Sequence, residues 1–173
     1  SVATDDDNAY YIPVGHDYEG APKQLDRDEV LKKLKPIIEK TPLIGQHLKF
    51  DRNVLANYDI HLNAIENDTM LMSYVYDPTA TRHNLDAMAS HYLNVKTTTF
   101  EDVAGKGVKQ LTFNQIPLEK ASDYAAEDAD ITFRCYSHLK PALAKTPSLE
   151  KVLHEIELPL VPVLSDMEPV SYT

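Results

Sequence analysis

Two stretches of this chain set carboxylates where they can do chemistry. The first is Gly45-Gln46-His47-Leu48-Lys49-Phe50-Asp51. Leu43-Ile44 reads as a short buried strand ending at Gly45, and Asp51 then falls one turn into a helix. A carboxylate near the end of a buried strand can face the crevice where α/β proteins bind ligands. Lys49 and Arg52 flank it and suit phosphate oxygens. Taken alone, Asp51 equally fits a carboxylate that the helix dipole favours. The second stretch is Tyr124-Ala125-Ala126-Glu127-Asp128-Ala129-Asp130. Tyr124 and Asp128 are four apart and share one helix face. The alanines permit close packing or close approach of a substrate. A carboxylate beside a phenol suits metal-assisted hydrolysis, the Asp binding a divalent cation and the phenol hydrogen-bonding the attacking water. The same spacing also fits an amphipathic helix with an incidental Tyr–Asp pair. Asp123, Glu127 and Asp130 turn to other faces and read as mostly solvent-facing.

Other residues offer less. Arg82, just ahead of a helix, is either a phosphate clamp or a surface arginine. Phe100 is either a platform for a base or a plug under its loop. The 7 histidines contain no H-E-x-x-H or H-x-x-x-H pair, so no histidine metal site is read. The 1 cysteine, Cys135, forms neither an internal disulfide nor a Cys-based zinc site and reads as a small filler on a helix face. With 5 glycines and no G-x-G-x-x-G or G-x-x-x-x-G-K-[ST], a Gly-rich phosphate loop is not expected.

Bulk properties bound the rest. A chain of 173 residues is enough for one domain with a sizeable core. Seventeen basic against 27 acidic residues give a net charge of −10, which argues against coating nucleic acid by charge alone. It leaves a metal-dependent nuclease open, because bound divalent ions reverse the local field. No apolar run approaches the ~20 residues of a membrane span, and no signal pattern opens the chain. The expected location is the cytoplasm, with no membrane partner.

The elements that must position these residues follow from pattern. Val2-Ala3-Thr4 and Tyr10 to Val14, about a turn at Asp5-Asp6-Asp7-Asn8, read as a hairpin. Asp28 is placed to cap a helix over Glu29 to Lys40, with Pro36 bending its late part. After strand 43–45 come a helix over 48–57, a strand-like run from Ile60 to Ile65, and a helix from Thr69 to Tyr76 capped by Asp68. Asn84 caps Leu85 to Leu93. Residues 96–116 read as irregular. A long helix follows from Leu118 to Leu143, then helical sequence from Ser148 to Met167 broken by Pro159 and Pro162. Early strands and later helices imply an α/β domain with helices on one sheet.

Taken together, GQHLKFD, NDTMLMSY, TRHNLD, TFEDVAGKG, LTFNQI and YAAEDAD occur in an order that resembles the 3′–5′ proofreading exonuclease domain of bacterial family A DNA polymerases. The resemblance runs from about Ala9 to Met167. It implies an α/β, ribonuclease H-like fold, a mixed sheet with flanking helices. It implies two-metal hydrolysis, with Mg²⁺ or Mn²⁺, of the 3′-terminal phosphodiester of single-stranded DNA. Asp51 and Asp128 would be the third and fourth metal-binding carboxylates and Tyr124 the tyrosine of the subtype. Gln46, His47, Lys49, Arg82 and Phe100 would contact the 3′ end. Residues 1–158 would form the exonuclease domain, and 159–173 would begin the connection toward a polymerase domain of the same chain.

Three departures qualify the likeness. The D-x-E motif on the family's first strand, which carries the other two carboxylates, is expected upstream of Ser1. Asp166-Met167-Glu168 spells it on a helix, and Asp26 and Asp28 lack a buried strand before them. His47 stands where relatives usually have Asn, and the tail Glu168 to Thr173 lacks the family's Gly-containing turn. The chain alone is therefore expected to be inactive. The alternatives are a non-catalytic exonuclease-like domain supporting a polymerase, against which the retained Asp51, Tyr124 and Asp128 speak, and a ribonuclease or helicase-linked exonuclease of the same superfamily.

Overall fold

The computed structural model describes residues 1–5 and 8–171, with side chains described up to Glu168 except that of Asp5. Strands β1 (Val2–Asp5) and β2 (Asn8–Tyr10) pair antiparallel. The expected turn residues Asp6 and Asp7 lie outside the described residues. The second strand stops at Tyr10 rather than Val14, since Pro13 cannot donate to a ladder. Helix α1 (Arg27–Ile38) starts two residues earlier than expected. Asp26, not Asp28, is its cap, accepting from the Glu29 backbone N–H at 3.0 Å.

Strand β3 (Leu43–Gly45) leads into α2 (Leu48–Ala56). It pairs parallel with β4, which is Ile65–Asp68 rather than the expected run from Ile60 to Ile65. Ile60 and Leu62 are buried but lie outside the ladder. Helix α3 (Thr69–Tyr76) is continuous with β4. Helix α4 (Leu85–Met88), capped by Asn84, passes into a π turn over Ala89–Leu93, which ends at Asn94 in the left-handed region. The segment expected to be irregular holds α5 (Phe100–Ala104) and two 3₁₀ turns.

Helix α6 (Leu118–Ala144) is the axis of the molecule. Its Ile131, Cys135, Leu139 and Leu143 pack with Met72 and Val75 of α3, Met88 of α4 and Leu153. A fully buried leucine contributes about 1.5–3 kcal/mol, so this face outweighs any surface pair in holding α6. Burial in that apolar setting pushes the Cys135 thiol up to about 11, in keeping with a packing role. A smaller cluster of Ala104, Ile116 and Ala121, with Tyr11 and Phe113 against it, anchors the start of α6.

The last segment runs from α7 (Pro147–Val152) through a π turn (Leu153–Glu157) into α8 (Leu158–Ser171). Pro159 and Pro162 do not break it, contrary to expectation. A proline ring clashes with the carbonyl four residues back, and the i→i+5 turn just ahead of Pro159 widens the helix there. Among the described residues the two strand pairs are separate ladders, one antiparallel and one parallel. The chain is thus α/β, with small sheets and many helices. No helix among the described residues is long and apolar enough to cross a membrane.

Candidate active site

Tyr124 and Asp128 project from one face of α6, two turns in. Ala121 and Ala125 are buried beneath them and let α6 sit close to its neighbours. The Tyr124 ring is boxed by Phe100 and Phe113, each with its centroid 6.2 Å away. Its phenol lies within hydrogen-bonding reach of Asp128. Burial, then the Asp128 charge, raises the phenol far above its ordinary range, so it keeps its proton. Burial also pushes the Asp128 carboxyl up to about 6, against the Tyr124 hydrogen bond; Asp86 and Glu127 add to the rise.

Asp51 is delivered differently. Gly45 ends β3 where a Cβ would stand 2.3 Å from the Leu48 side chain, so only glycine lets α2 fold back this tightly. His47 then takes the left-handed region, at φ 59°. Asp68, 1% exposed, holds the turn. Its carboxylate accepts from the backbone N–H groups of His47 (3.2 Å) and Leu48 (2.7 Å) and from those of Met70 (2.9 Å) and Leu71 (3.3 Å). One side chain therefore caps α2 and α3 together. Asp51 itself is solvent-exposed on α2. Desolvation by its surroundings raises its pKa; Asp68 raises it further, while its own backbone N–H and the Ser1 amino group oppose.

Asp51 stands on α2 and Asp128 on α6, and both carboxyls have raised pKa values with burial as the first cause. Among the described residues, no three or more His, Cys, Asp and Glu side chains gather to hold a metal. Asp51 and Asp128 are hard oxygen donors of the kind that Mg²⁺ and Mn²⁺ take. A groove of about 450 Å³, lined by Arg52, Ile65, His154 and Leu158 among others, includes none of Asp51, Tyr124 and Asp128.

Comparison with known proteins gives the family. The family model described as 3′-5′ exonuclease matches residues 1–144. The chain belongs to that family. DNA polymerase I of Pseudomonas aeruginosa is 54% identical over 172 residues, covering 97% of this chain and 19% of the relative. DNA polymerase I of Rhizobium leguminosarum is 36% identical, covering 92% and 16%. The DNA polymerase of Escherichia phage T5 is 27% identical, covering 70% and 16%. The chain spans less than a fifth of the length of these relatives.

Around these side chains the remaining predicted residues differ in how free they are. Gln46 Nε2 donates to the His83 carbonyl at 2.9 Å, and its Oε1 accepts from Thr69 Oγ1 at 2.5 Å. Lys49 is paired with Glu168 of α8, so its ammonium is not left over for phosphate. Arg52 likewise reaches Ser165 and Asp166, the latter at 2.8 Å. Arg82 is exposed, and no hydrogen bond or ion pair holds its guanidinium among the described residues. Phe100 is partly exposed and presents its ring to Tyr124.

Sequence reading missed several supports. Glu127 is not solvent-facing: it is half-buried and accepts from the Thr98 backbone N–H at 2.8 Å. Asp130 is also half-buried, beside Arg134. Behind Phe113 lies His16, 7% exposed, whose Nε2 meets the Tyr11 hydroxyl at 2.6 Å. The loop bearing His16 is tied to α6 by Tyr18, whose hydroxyl accepts from the Leu118 N–H. Only the density of aromatics in Tyr10-Tyr11 and His16-Asp17-Tyr18 hinted at this.

Proposed function

We propose that this chain is the 3′–5′ exonuclease domain of a DNA polymerase I, and that it hydrolyses 3′-terminal phosphodiesters of single-stranded DNA with Asp51, Tyr124 and Asp128 at the reaction centre. One observation supports this above all. The 3′-5′ exonuclease family model matches residues 1–144, and within that span the Tyr124 phenol stands against the Asp128 carboxyl.

Asp128 and Asp51 would hold Mg²⁺ or Mn²⁺, Asp128 directly and Asp51 through water. When bound, the divalent ions supply a Lewis acid for the phosphate and a lowered pKa for water. The chain's own groups do the rest. The Tyr124 phenol, protonated across the working pH range, donates or accepts a single directed hydrogen bond that orients the attacking water. Phe100 offers a ring face on which the terminal base stacks. Arg82 clamps a phosphate oxygen, and Gln46 and His47 line the path of the 3′ end. Lys49 would reach phosphate only on leaving its pair with Glu168.

In this reading the fold is ribonuclease H-like. The β1–β2 and β3–β4 pairs are parts of one mixed sheet, completed by an upstream strand carrying D-x-E. Residues 1–158 are the exonuclease domain, and 159–173 lead toward the polymerase domain of the parent chain. The test is degradation of a 3′-labelled oligonucleotide with Mg²⁺ or Mn²⁺, by this chain and by a form extended upstream. Activity in the extended form alone, lost on Asp128→Ala, is expected. An extended form that neither binds metal nor cuts would overturn the catalytic reading.

A further inference from the structure

His83 carries more restraints than any other residue in its loop, and none of them serves a role already described. It sits in the left-handed region at φ 57°, which costs a non-glycine residue energy and persists only where the surroundings over-determine it. Its backbone N–H donates to Thr81 Oγ1 at 2.7 Å. Its carbonyl accepts from Gln46 Nε2 at 2.9 Å. Its ring lies edge-on to Tyr74, with centroids 5.6 Å apart.

The ring nitrogens define a single hydrogen-bond polarity. Nε2 stands 3.1 Å from the Pro78 carbonyl, which can only accept, so Nε2 carries the proton. Nδ1 then accepts from Ser73 Oγ at 2.8 Å. Ser73, fully buried in α3, is left to accept from the Tyr92 hydroxyl at 2.9 Å. The imidazole thus joins the core of α3, the π turn bearing Tyr92, and the 78–83 loop. Through its carbonyl it also joins Gln46, which immediately follows the strand leading to Asp51.

The one residue of this loop whose charge is unspent is its neighbour, Arg82. We infer that His83 is a positioning residue: it fixes the backbone from which Arg82 reaches the phosphate, and sets it in register with the Gln46–Asp51 turn. This rests on the proposed phosphate contact of Arg82. An exposed arginine on a free loop loses rotamer and backbone entropy on every binding event. Five restraints on the adjacent residue remove the backbone part of that cost in advance.

The test is a double-mutant cycle on binding of a fluorescent oligothymidine, followed by anisotropy in Ca²⁺, with the chain in its upstream-extended form. Arg82→Ala is expected to weaken binding about tenfold, as loss of one charge-assisted contact does. His83→Gly tolerates the left-handed backbone but deletes every ring contact, and is expected to weaken binding about threefold to tenfold. In the Arg82→Ala background it adds nothing. His83→Asn, which favours the same backbone region and keeps one polar contact, restores part of the affinity and keeps the test valid if His83→Gly fails to fold. Equal losses from His83→Gly with and without Arg82 would overturn the positioning role while leaving the Arg82 contact intact. No loss from Arg82→Ala, or no binding by the unaltered protein, would overturn both, and would trace the failure to the functional reading.

Discussion

Asp128 and Asp51, the two carboxylates of the proposed site, are held in opposite ways. Asp128 rides on a 27-residue helix whose far face is the main apolar core. Asp51 rides on a 9-residue helix with one buried residue, Leu48. That short helix is kept in place by polar ties: the Asp68 carboxylate at its start, and Lys49, Arg52 and Asn53 reaching Ser165, Asp166 and Glu168 of α8. Apolar packing is insensitive to salt and geometry-tolerant only within a methylene or so. Ion pairs and caps are directional, weaker and screened. The Asp128 side of the site is therefore the rigid reference, and the Asp51 side is the adjustable one.

The comparison breaks first at the chemistry. Asp128→Ala and Asp51→Ala are each expected to lower single-turnover cleavage of 3′-labelled DNA by the upstream-extended form on the order of a hundredfold to a thousandfold, the scale of losing a major electrostatic stabiliser. If only one did so, the proposal that both belong to one site would be wrong. Next comes the packing that holds α6. Leu139 is 0% exposed, and Leu139→Ala is expected to cost about 2–5 kcal/mol in urea unfolding. The double cap follows. Asp68→Ala strips the acceptor from four backbone N–H groups and is expected to cost about 2–3 kcal/mol. Hydrogen exchange would localise the loss to the amides of His47, Leu48, Met70 and Leu71, leaving those of α6 protected.

A smaller effect separates the two carboxylates by pH. The folded-state pKa of Asp128, about 6, lies above its ordinary 3.8, so its protonated form favours the fold. That stability is fully present below about pH 4 and is lost as pH rises through about 6. Asp128→Asn is therefore expected to flatten the melting-temperature profile between pH 4 and 6 in a chelator, and to melt higher than the parent chain at pH 7. Smallest of all, Lys49→Ala is expected to cost under about 1 kcal/mol, and molar salt to erase the difference. A large, salt-independent loss there would mean that α8 holds α2 by something other than charge.

Much of this arrangement was legible in the sequence where a local signal existed. Asp68, Asn84 and Pro117 mark helix starts, and the structure honours all three. The Tyr124–Asp128 face followed from helical spacing alone. What was not legible depended on distant partners. Glu66-Asn67-Asp68 looks too polar for a strand, yet Asn67 and Asp68 are buried in β4 because Asp68 has four donors waiting across the turn. Glu127 looked solvated because its partner is the backbone of Thr98, twenty-nine residues earlier. Proline signals at 159 and 162 were read as breaks because a π turn leaves no mark in composition.

That π turn has a consequence for how the chain tolerates length changes. It is a one-residue phase slip, turning everything after Glu157 by ~100° relative to α7. Deleting one residue within 153–157 would restore an unbroken α-helical phase and rotate α8 about its own axis. Ser165, Asp166 and Glu168 would swing away from α2, and the exposed Ile156, Leu160, Val163 and Leu164 would take up new bearings. The latch on the Asp51 side is thus set by a count of residues as much as by their identity.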